Sequence, residues 1–533
     1  LLANLNYYKS SEVYTLEFLA DDQITAQQIS LLFGWVARSV YFKDQLFLVS
    51  NANIRAPLPG VDADRLITID QLFGQQQYQA MVLERSFGYL QKVGKNDFDA
   101  HPFSSRDIIL TDFLPNDMPF CQGILTTAFQ TPLAHINVLS HNRKTPNCAY
   151  KRAWDDANIQ KLVGKLVCYE VLPDTFYLKE ASIEVAQAFW DRKRNQATRK
   201  LKCDFQERTL LDIQKINRNS VATVGAKAAN FGELDKIRLP DQTKIPIPEA
   251  AFAIPFYYYQ QHITRHHLQK QIKDILSSDS ISNNRVLLDK HLKALQDSIM
   301  AKPLHRDLLR MVTDKLKSSK GYTDFRFRSS TNAEDIPGFT GAGLYASRTG
   351  SLVRPDKSIE KAIKKVWASL WTLRAFEERM HAHIDQSNLA MGVLVHRAFG
   401  TEEANGVAIT QHLYRDGYPA FTVNVQKGEH SVVLPEDQVT PEQFLIQYSI
   451  SNPGSGAIGV DYISHSSLND FQPLLRMEEI QLLASYLYAI KKHFYYASDR
   501  MVLGADFFDF AMDIEFKLDR GSRKIYVKQA RPY

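Results

Sequence analysis

The chain has 533 residues, of which 44% are hydrophobic and 23% charged, and its formal net charge is +5. This length exceeds what one hydrophobic core serves and implies about three or four domains. The small net charge speaks against a nucleic-acid protein, which needs a clustered basic face, and no apolar run reaches the roughly 18–20 residues of a membrane-spanning helix. No basic-then-apolar leader pattern opens the chain, which starts at Leu1 rather than methionine. Cys121, Cys148, Cys168 and Cys203 form no CxxC pair and read as buried free thiols.

Residues 1–105 read as an N-terminal α/β domain. "EVYTLEFLA" alternates as a strand, "TAQQISLLFGWVARSVYF" carries apolar residues at helical spacing, and "NIRAPLPGVDA" is a loop. No chemical motif stands out, so packing or an adaptor role is expected. Residues 106–180 form a second α/β unit, with strands at "RDIILTDFLP" and "GKLVCYEVL". Between them lies "QTPLAHINVLSHNRKTPN". Thr131 can cap a helix and Pro132 fits its first turn, after which Leu133, Ile136 and Leu139 share a face. His135 then falls near the helix start, where free N–H groups and the dipole favour anions and a neutral imidazole. Such an imidazole can attack phosphorus; taken alone, a histidine beside aliphatic residues reads first as a satisfied structural residue. Residues 181–215, including "EASIEVAQAFWDRKRNQATRKLKCDF", are charged and helix-prone and read as a solvated helical linker.

Residues 216–533 form the largest unit. "VGAKAANFGEL" places Lys227 in a small-residue turn opening a helix, as a phosphate contact or a surface lysine. In "DFRFRSSTNAEDIPGFTGAGLY", Phe325 and Phe327 alternate with Arg326 and Arg328, so both arginines leave one strand face. Gly338, Gly341 and Gly343 then make a loop able to fold over phosphates. "GAGLYA" is no dinucleotide fingerprint, because no strand leads into it, and no Walker A pattern occurs. "SIEKAIKKVWASLWTLRAFEERM" reads as one strong helix with Ile359, Ile363, Val366, Leu370, Leu373 and Met380 in its seam, and Trp367 and Trp371 in the core. In "FAMDIEFKL" Phe510, Met512, Ile514, Phe516 and Leu518 point one way and Asp513 and Glu515 the other. "DRGS" turns the chain, and "KIYVKQARP" returns with Gln529 and Arg531 near those acids. Two carboxylates and an amide oxygen suit Mg²⁺ on phosphates, the alternative being a solvated hairpin face.

"VGAKAANFGEL", "FRSSTNAEDIPGFTGAGLY", "VWASLWTLRAFEER", "GVAIT" and "DIEFKL…IYVKQARP" resemble, in order, the nucleotide-binding domain of the phosphoenolpyruvate synthase and pyruvate phosphate dikinase family. The stretch around His135 is similar to that family's swivelling phosphohistidine domain, with Leu133 and Ala134 where the family has Thr-Ser. A histidine unit ahead of an ATP unit is the order of the glucan water dikinases. The resemblance implies an α/β (α+β) architecture: an ATP-grasp-like nucleotide-binding domain preceded by a swivelling β/β/α phosphohistidine domain and the N-terminal α/β domain. It implies ATP and Mg²⁺ as cofactors. Lys227, Arg328 and Arg531 would contact ATP phosphates, and Asp513, Glu515 and Gln529 would hold metal and nucleotide. Glu429 in "KGEHSVV" would lie near the nucleotide sugar, Gly341 and Gly343 in the phosphate lid, and Arg374 in "LRAFEER" matches a family arginine without an assigned role. His135 would be the carrier and, with Arg328 and Arg531, catalytic.

The expected activity is ATP-dependent phosphotransfer of dikinase type to an acceptor other than pyruvate: a glycan, a metabolite or a protein. The alternatives are a non-catalytic ATP sensor or scaffold, and an ATP-grasp ligase forming an acyl phosphate. No nucleic-acid or membrane partner is expected, self-association stays open, and ATP use points to the cytoplasm.

Overall fold

The computed structural model describes the chain except residues 1–2, 9–11, 18–24, 51–57, 69–76, 99–100, 102, 116–117, 129, 131–134, 195–197, 279–280, 282–284, 320, 337–338, 340, 342, 414–416, 431, 433–438, 451–453, 455 and 498–505. Four sheets divide it into three units.

The first unit holds β1 (Asn4–Tyr8), β2 (Val13–Glu17), β3 (Leu46–Ser50) and β4 (Leu66–Thr68), adjacent in that order. β1 is antiparallel to β2, while β2, β3 and β4 run parallel. A helix, Ala26–Ser39, makes the crossover from β2 to β3. Thr25 and Gln28 close a capping box at its start. Ile29 and Phe33, one turn apart, pack on Leu16, Leu46 and Leu48. These are the strand and helix expected from the alternation and the helical spacing.

The second unit is a seven-stranded sheet: β5 (Tyr78–Val82), β6 (Arg85–Lys92), β7 (Asp107–Thr111), β8 (Gly123–Thr126), β9 (Asn147–Tyr150), β10 (Leu166–Val171) and β11 (Phe176–Glu180). Its order is β11-β10-β6-β7-β8-β9-β5, with β6 to β9 parallel. β7 and β8 are buried throughout, because helices and loops cover both faces. The expected division at residue 105 falls inside this sheet, since β6 bonds directly to β7. The unit therefore takes in residues from 78 onward.

The connector differs from a solvated helix. Its helix, Ile183–Arg194, docks on the second unit: Ala186 and Trp190 are buried, Trp190 Nε1 donates to Phe87 O at 2.9 Å, and Arg106 lies over the indole. The described chain from residue 198 to residue 210 is not helical. Arg199 exchanges backbone hydrogen bonds with His383 and Asp385, and Cys203 Sγ donates to Asn388 O, so this half is stitched to the third unit. Apolar spacing in the helix had been masked by its charge content. Cys121 and Cys148 are buried free thiols, as expected, whereas Cys168 and Cys203 are only partly buried.

The third unit pairs two sheets. One contains β12 (Leu211–Asp212), β13 (Phe252–Ile254), β14 (Asp324–Thr331), β15 (Ser347–Ser351) and β16 (Met391–Arg397) in the order β12-β13-β16-β14-β15, all antiparallel. The other contains β17 (Glu402–Ile409), β18 (Ala420–Lys427), β19 (Glu442–Tyr448), β20 (Ala457–Ser464), β21 (Met512–Asp519) and β22 (Ile525–Pro532) in the order β20-β19-β18-β17-β21-β22. Helices back each sheet, and a helix Ala226–Lys236 touches β14, β16 and β22. The single helix expected over 358–380 is two: Ile359–Ala368, a tight turn Ser369–Trp371, and Leu373–His381. Thr372 breaks it by capping the second piece through Ala375 N. Trp367 and Trp371 are core residues, as read, but Met380 is 38% exposed because the restart rotates it out of the seam. Among the described residues no helix is long and apolar enough to cross a membrane.

Candidate active site

The last hairpin builds the floor of the site. Met512, Ile514, Phe516 and Leu518 are buried under β21, so Asp513 and Glu515 leave the other face. The register sets Asp513 opposite Arg531 and Glu515 opposite Gln529, which is the juxtaposition the alternation predicts. Arg531 donates from Nε and Nη2 to Asp513 Oδ2 at 2.9 and 2.5 Å.

β14 supplies the opposing wall. Phe325 and Phe327 enter the core, which turns Arg328 toward the hairpin. Its Nη1 donates to Lys528 O at 2.8 Å, and its Nη2 to Gln529 Oε1 at 2.6 Å and Glu515 Oε2 at 3.3 Å. Lys528 Nζ lies 3.0 Å from the same Glu515 oxygen.

A glycine turn supplies the third side. Gly225 has φ +88°, and a Cβ there would meet the Ser330 carbonyl carbon at 2.3 Å. Only glycine permits this approach. It brings Ala228 N to Ser330 Oγ at 2.9 Å and Lys227 Nζ to Glu334 Oε1 at 3.0 Å and Ser329 O at 3.1 Å. The loop after β14 closes over this point. Gly341 and Gly343 adopt φ +65° and +68°, and Gly341 packs on Glu334 so closely that a Cβ would lie 3.0 Å from its Cγ. Gly338 lies outside the described residues. Asp335, itself at φ +53°, accepts from Asn230 Nδ2 at 3.0 Å.

Three cations, Lys227, Arg328 and Arg531, are thus each paired with an acid: Glu334, Glu515 and Asp513. Burial alone would raise Glu515, but Lys528, Arg328 and Arg531 outweigh it and hold the carboxyl well below its usual range. Burial pushes Asp335 up to about 7, with Arg531 opposing and Glu334 adding to the shift. Lys517, further along β21, is pushed down to about 7 by burial and by Lys528, Arg326 and Arg328. The cluster is rich in positive charge and suits a polyanion.

No three His, Cys, Asp or Glu side chains gather into a metal cage among the described residues. Glu515 and Gln529 nevertheless converge on a single point, now taken by the Arg328 Nη2. Two hard oxygens aimed at one cationic group fit Mg²⁺, which binds through one or two protein oxygens plus phosphates and water. Asp513 fits less well, since Arg531 engages it through two donors.

Three predicted residues lie apart. Glu429 is exposed in the turn after β18, where it acts as a counter-charge to Arg326. Arg374 lines a cavity of about 150 Å³ between the second and third units, with Arg143, Arg285, Glu377 and Glu378. His135 belongs to the second unit, where it is the first residue of the crossover helix His135–Arg143 that joins parallel β8 to β9. Ile136 and Leu139 are buried, as the spacing predicts. The His135 side chain and residues 131–134, including Thr131, Pro132, Leu133 and Ala134, lie outside the described residues. Glu334, Asp335, Asn230 and Lys528 were not anticipated. The adjacent acids in "STNAEDIPG" were the available signal, but only the fold shows that they turn toward Lys227.

Two facing sheets, a glycine-bound helix start and a cation cluster between them define an ATP-grasp-like nucleotide-binding protein. A family model described as the AMP/ATP-binding domain of pyruvate phosphate dikinase matches residues 221–533, and the chain belongs to that family. It is 26% identical over 250 residues to a phosphoenolpyruvate synthase of Aeropyrum pernix, covering 46% of this chain and 29% of that protein. It is 21% identical over 384 residues to the phosphoenolpyruvate synthase of Pyrococcus furiosus, covering 60% and 43%. It is 28% identical over 245 residues to a rifampicin phosphotransferase of Streptomyces sviceus, covering 45% and 27%. The chain spans less than half the length of each of these relatives.

Proposed function

We propose that this protein is an ATP-dependent phosphotransferase of dikinase type, carrying a phosphoryl group from ATP through His135 to an acceptor of undetermined chemistry. The observation that carries the reading is the convergence of Lys227, Arg328 and Arg531 with Glu515 and Gln529 in the family's nucleotide domain. The triphosphate would displace the acids from the three cations, which then spread the charge developing on phosphorus. Glu515 and Gln529 would hold Mg²⁺, which neutralises phosphate oxygens, and Asp513 would keep Arg531 aimed. Gly341 and Gly343 would let the loop close, and Glu429 would stand toward the sugar.

An imidazole nitrogen of His135 attacks the β-phosphorus. The bond to the α-phosphate oxygen breaks with its electron pair on departing AMP, and the ring N–H proton goes to solvent. The terminal phosphoryl group then passes to water or phosphate, leaving phosphohistidine. The second unit would swing on the connector that joins it to the third unit to reach the acceptor; gating of this kind commonly limits turnover.

The test is product analysis with ATP and Mg²⁺. AMP and inorganic phosphate support the dikinase reading. Binding without AMP or ADP release supports a sensor. ADP formed only with an added carboxylate and amine supports a ligase.

A further inference from the structure

A buried amide network flanks the start of the histidine helix. Gln130, Asn137 and Asn147 are 3%, 0% and 0% exposed, and Thr126 beside them is 0% exposed. Gln130 Nε2 donates to Asn147 Oδ1 at 2.9 Å, and Asn147 Nδ2 donates back to Gln130 Oε1 at 2.9 Å. The same Asn147 nitrogen donates to Asn137 Oδ1 at 2.8 Å, and Gln130 Nε2 reaches Thr126 Oγ1 at 3.0 Å. Gln130 is pinned a second time through its backbone, whose N–H and C=O bond the Gln79 amide at 2.8 and 2.9 Å.

The network therefore joins β5, β8, β9 and the crossover helix. One anchored residue stands five before His135 and another two after it. On a helix each position is fixed in azimuth relative to the next, so holding Asn137 inward fixes the rotation of the helix's first turn. Buried amides are poor core fillers. Their burial is tolerated only when the donors and acceptors are matched, and a matched set specifies one arrangement. None of the three is used in binding nucleotide.

We infer that Gln130, Asn137 and Asn147 form a positioning clamp that holds the start of the histidine helix in the geometry needed to accept a phosphoryl group. The inference rests on the reading of His135 as the carrier. Asn137 is the residue to alter, because its removal leaves the Gln130–Asn147 pair intact. Asn137→Asp keeps the acceptor oxygen, at a helix-start position that favours an acid.

The full chain, its Asn137→Ala and Asn137→Asp variants and His135→Ala are mixed with ATP and Mg²⁺, quenched over time, and phosphohistidine at residue 135 is counted by mass spectrometry. Asn137→Ala should load at least about 10-fold more slowly at saturating ATP, since small misplacements cost of that order. The ATP concentration for half-maximal loading should stay within about twofold, because the nucleotide unit is untouched, and Asn137→Asp should recover most of the rate. Wild-type loading by Asn137→Ala, equal slowing in both variants, or a shift confined to ATP affinity would overturn the clamp. Absence of label on the wild type is a different result, and defeats the carrier reading itself.

Discussion

Glu515 and Gln529 face each other on the last hairpin, and both side chains bond the same Arg328 nitrogen, at 3.3 and 2.6 Å. A strand of one sheet thereby reaches across to the final hairpin of the other, and the crossing point is a cation between two hard oxygens. Arg328→Ala removes the fork and leaves Glu515 with Lys528 alone. Turnover of ATP should fall by about 10²–10³. Arg328→Lys keeps the charge but replaces the planar fork, whose two terminal nitrogens divide these contacts, with a single point charge, so it should restore only part of the loss. Product formation at saturating ATP measures both, and activity of the alanine variant within threefold of wild type would count against the role.

Gly225→Ala tests the turn that delivers Lys227. The new Cβ meets the Ser330 carbonyl at 2.3 Å, on backbone at φ +88°. Steric shift and left-handed strain together should cost roughly 2–4 kcal/mol. Denaturant unfolding would show it as a lower midpoint, with weakened ATP binding in the protein that remains folded. An unchanged midpoint would mean the turn is not under this constraint.

Asp335 predicts a pH dependence of stability. Its folded-state value of about 7 lies above the ordinary carboxylate range, so between those values the folded chain keeps a proton that the unfolded chain has lost. Stability from this group falls as pH rises from about 4 to 7, and the penalty persists above that. Asp335→Asn lacks the titration. Relative to wild type it should gain on the order of 4 kcal/mol between pH 4 and pH 8. Thermal unfolding of both proteins without nucleotide decides this; parallel profiles would show that Asp335 is ionised throughout.

Arg143, the last residue of the histidine helix, forms an ion pair with Glu378 of the third unit, with side chains 5% and 9% exposed. Glu378→Ala strands a buried guanidinium and should cost about 3–5 kcal/mol, whereas Arg143→Met with Glu378→Leu should recover most of it. Thermal unfolding of the single and double variants checks the order. A double variant no more stable than the single would place the cost elsewhere, for example in the neighbouring Phe120–His381 stack.

The sequence was most legible where a period of two governs. Alternation in "FAMDIEFKL" and "DFRFRSS" gave which side chains enter the core and that Asp513 and Glu515 leave one face, whereas the contact of Arg328 with Glu515 is visible only in the fold. Helical spacing located Ala26–Ser39, but it ran through Thr372 because a cap can restart a helix without interrupting the apolar pattern. The boundary at 105 was missed because β6 and β7 pair in parallel across a long connection, which leaves no hairpin signal. Trp190 was hidden in a charged segment whose docking face only the sheet reveals. Glu334 and Asp335 could not be assigned because the loop carrying them has no period, and the close packing of Gly341 on Glu334 is visible only in the fold.

The most direct test of the central claim follows the phosphorus. The chain is incubated with Mg²⁺ and ATP carrying radioactive phosphorus in the β position, then digested, and its peptides are separated under alkaline conditions. Acid-labile, base-stable label should appear on the peptide containing His135, in step with AMP, and vanish in His135→Ala. No label on the wild-type chain, or the same label on His135→Ala, would contradict the account.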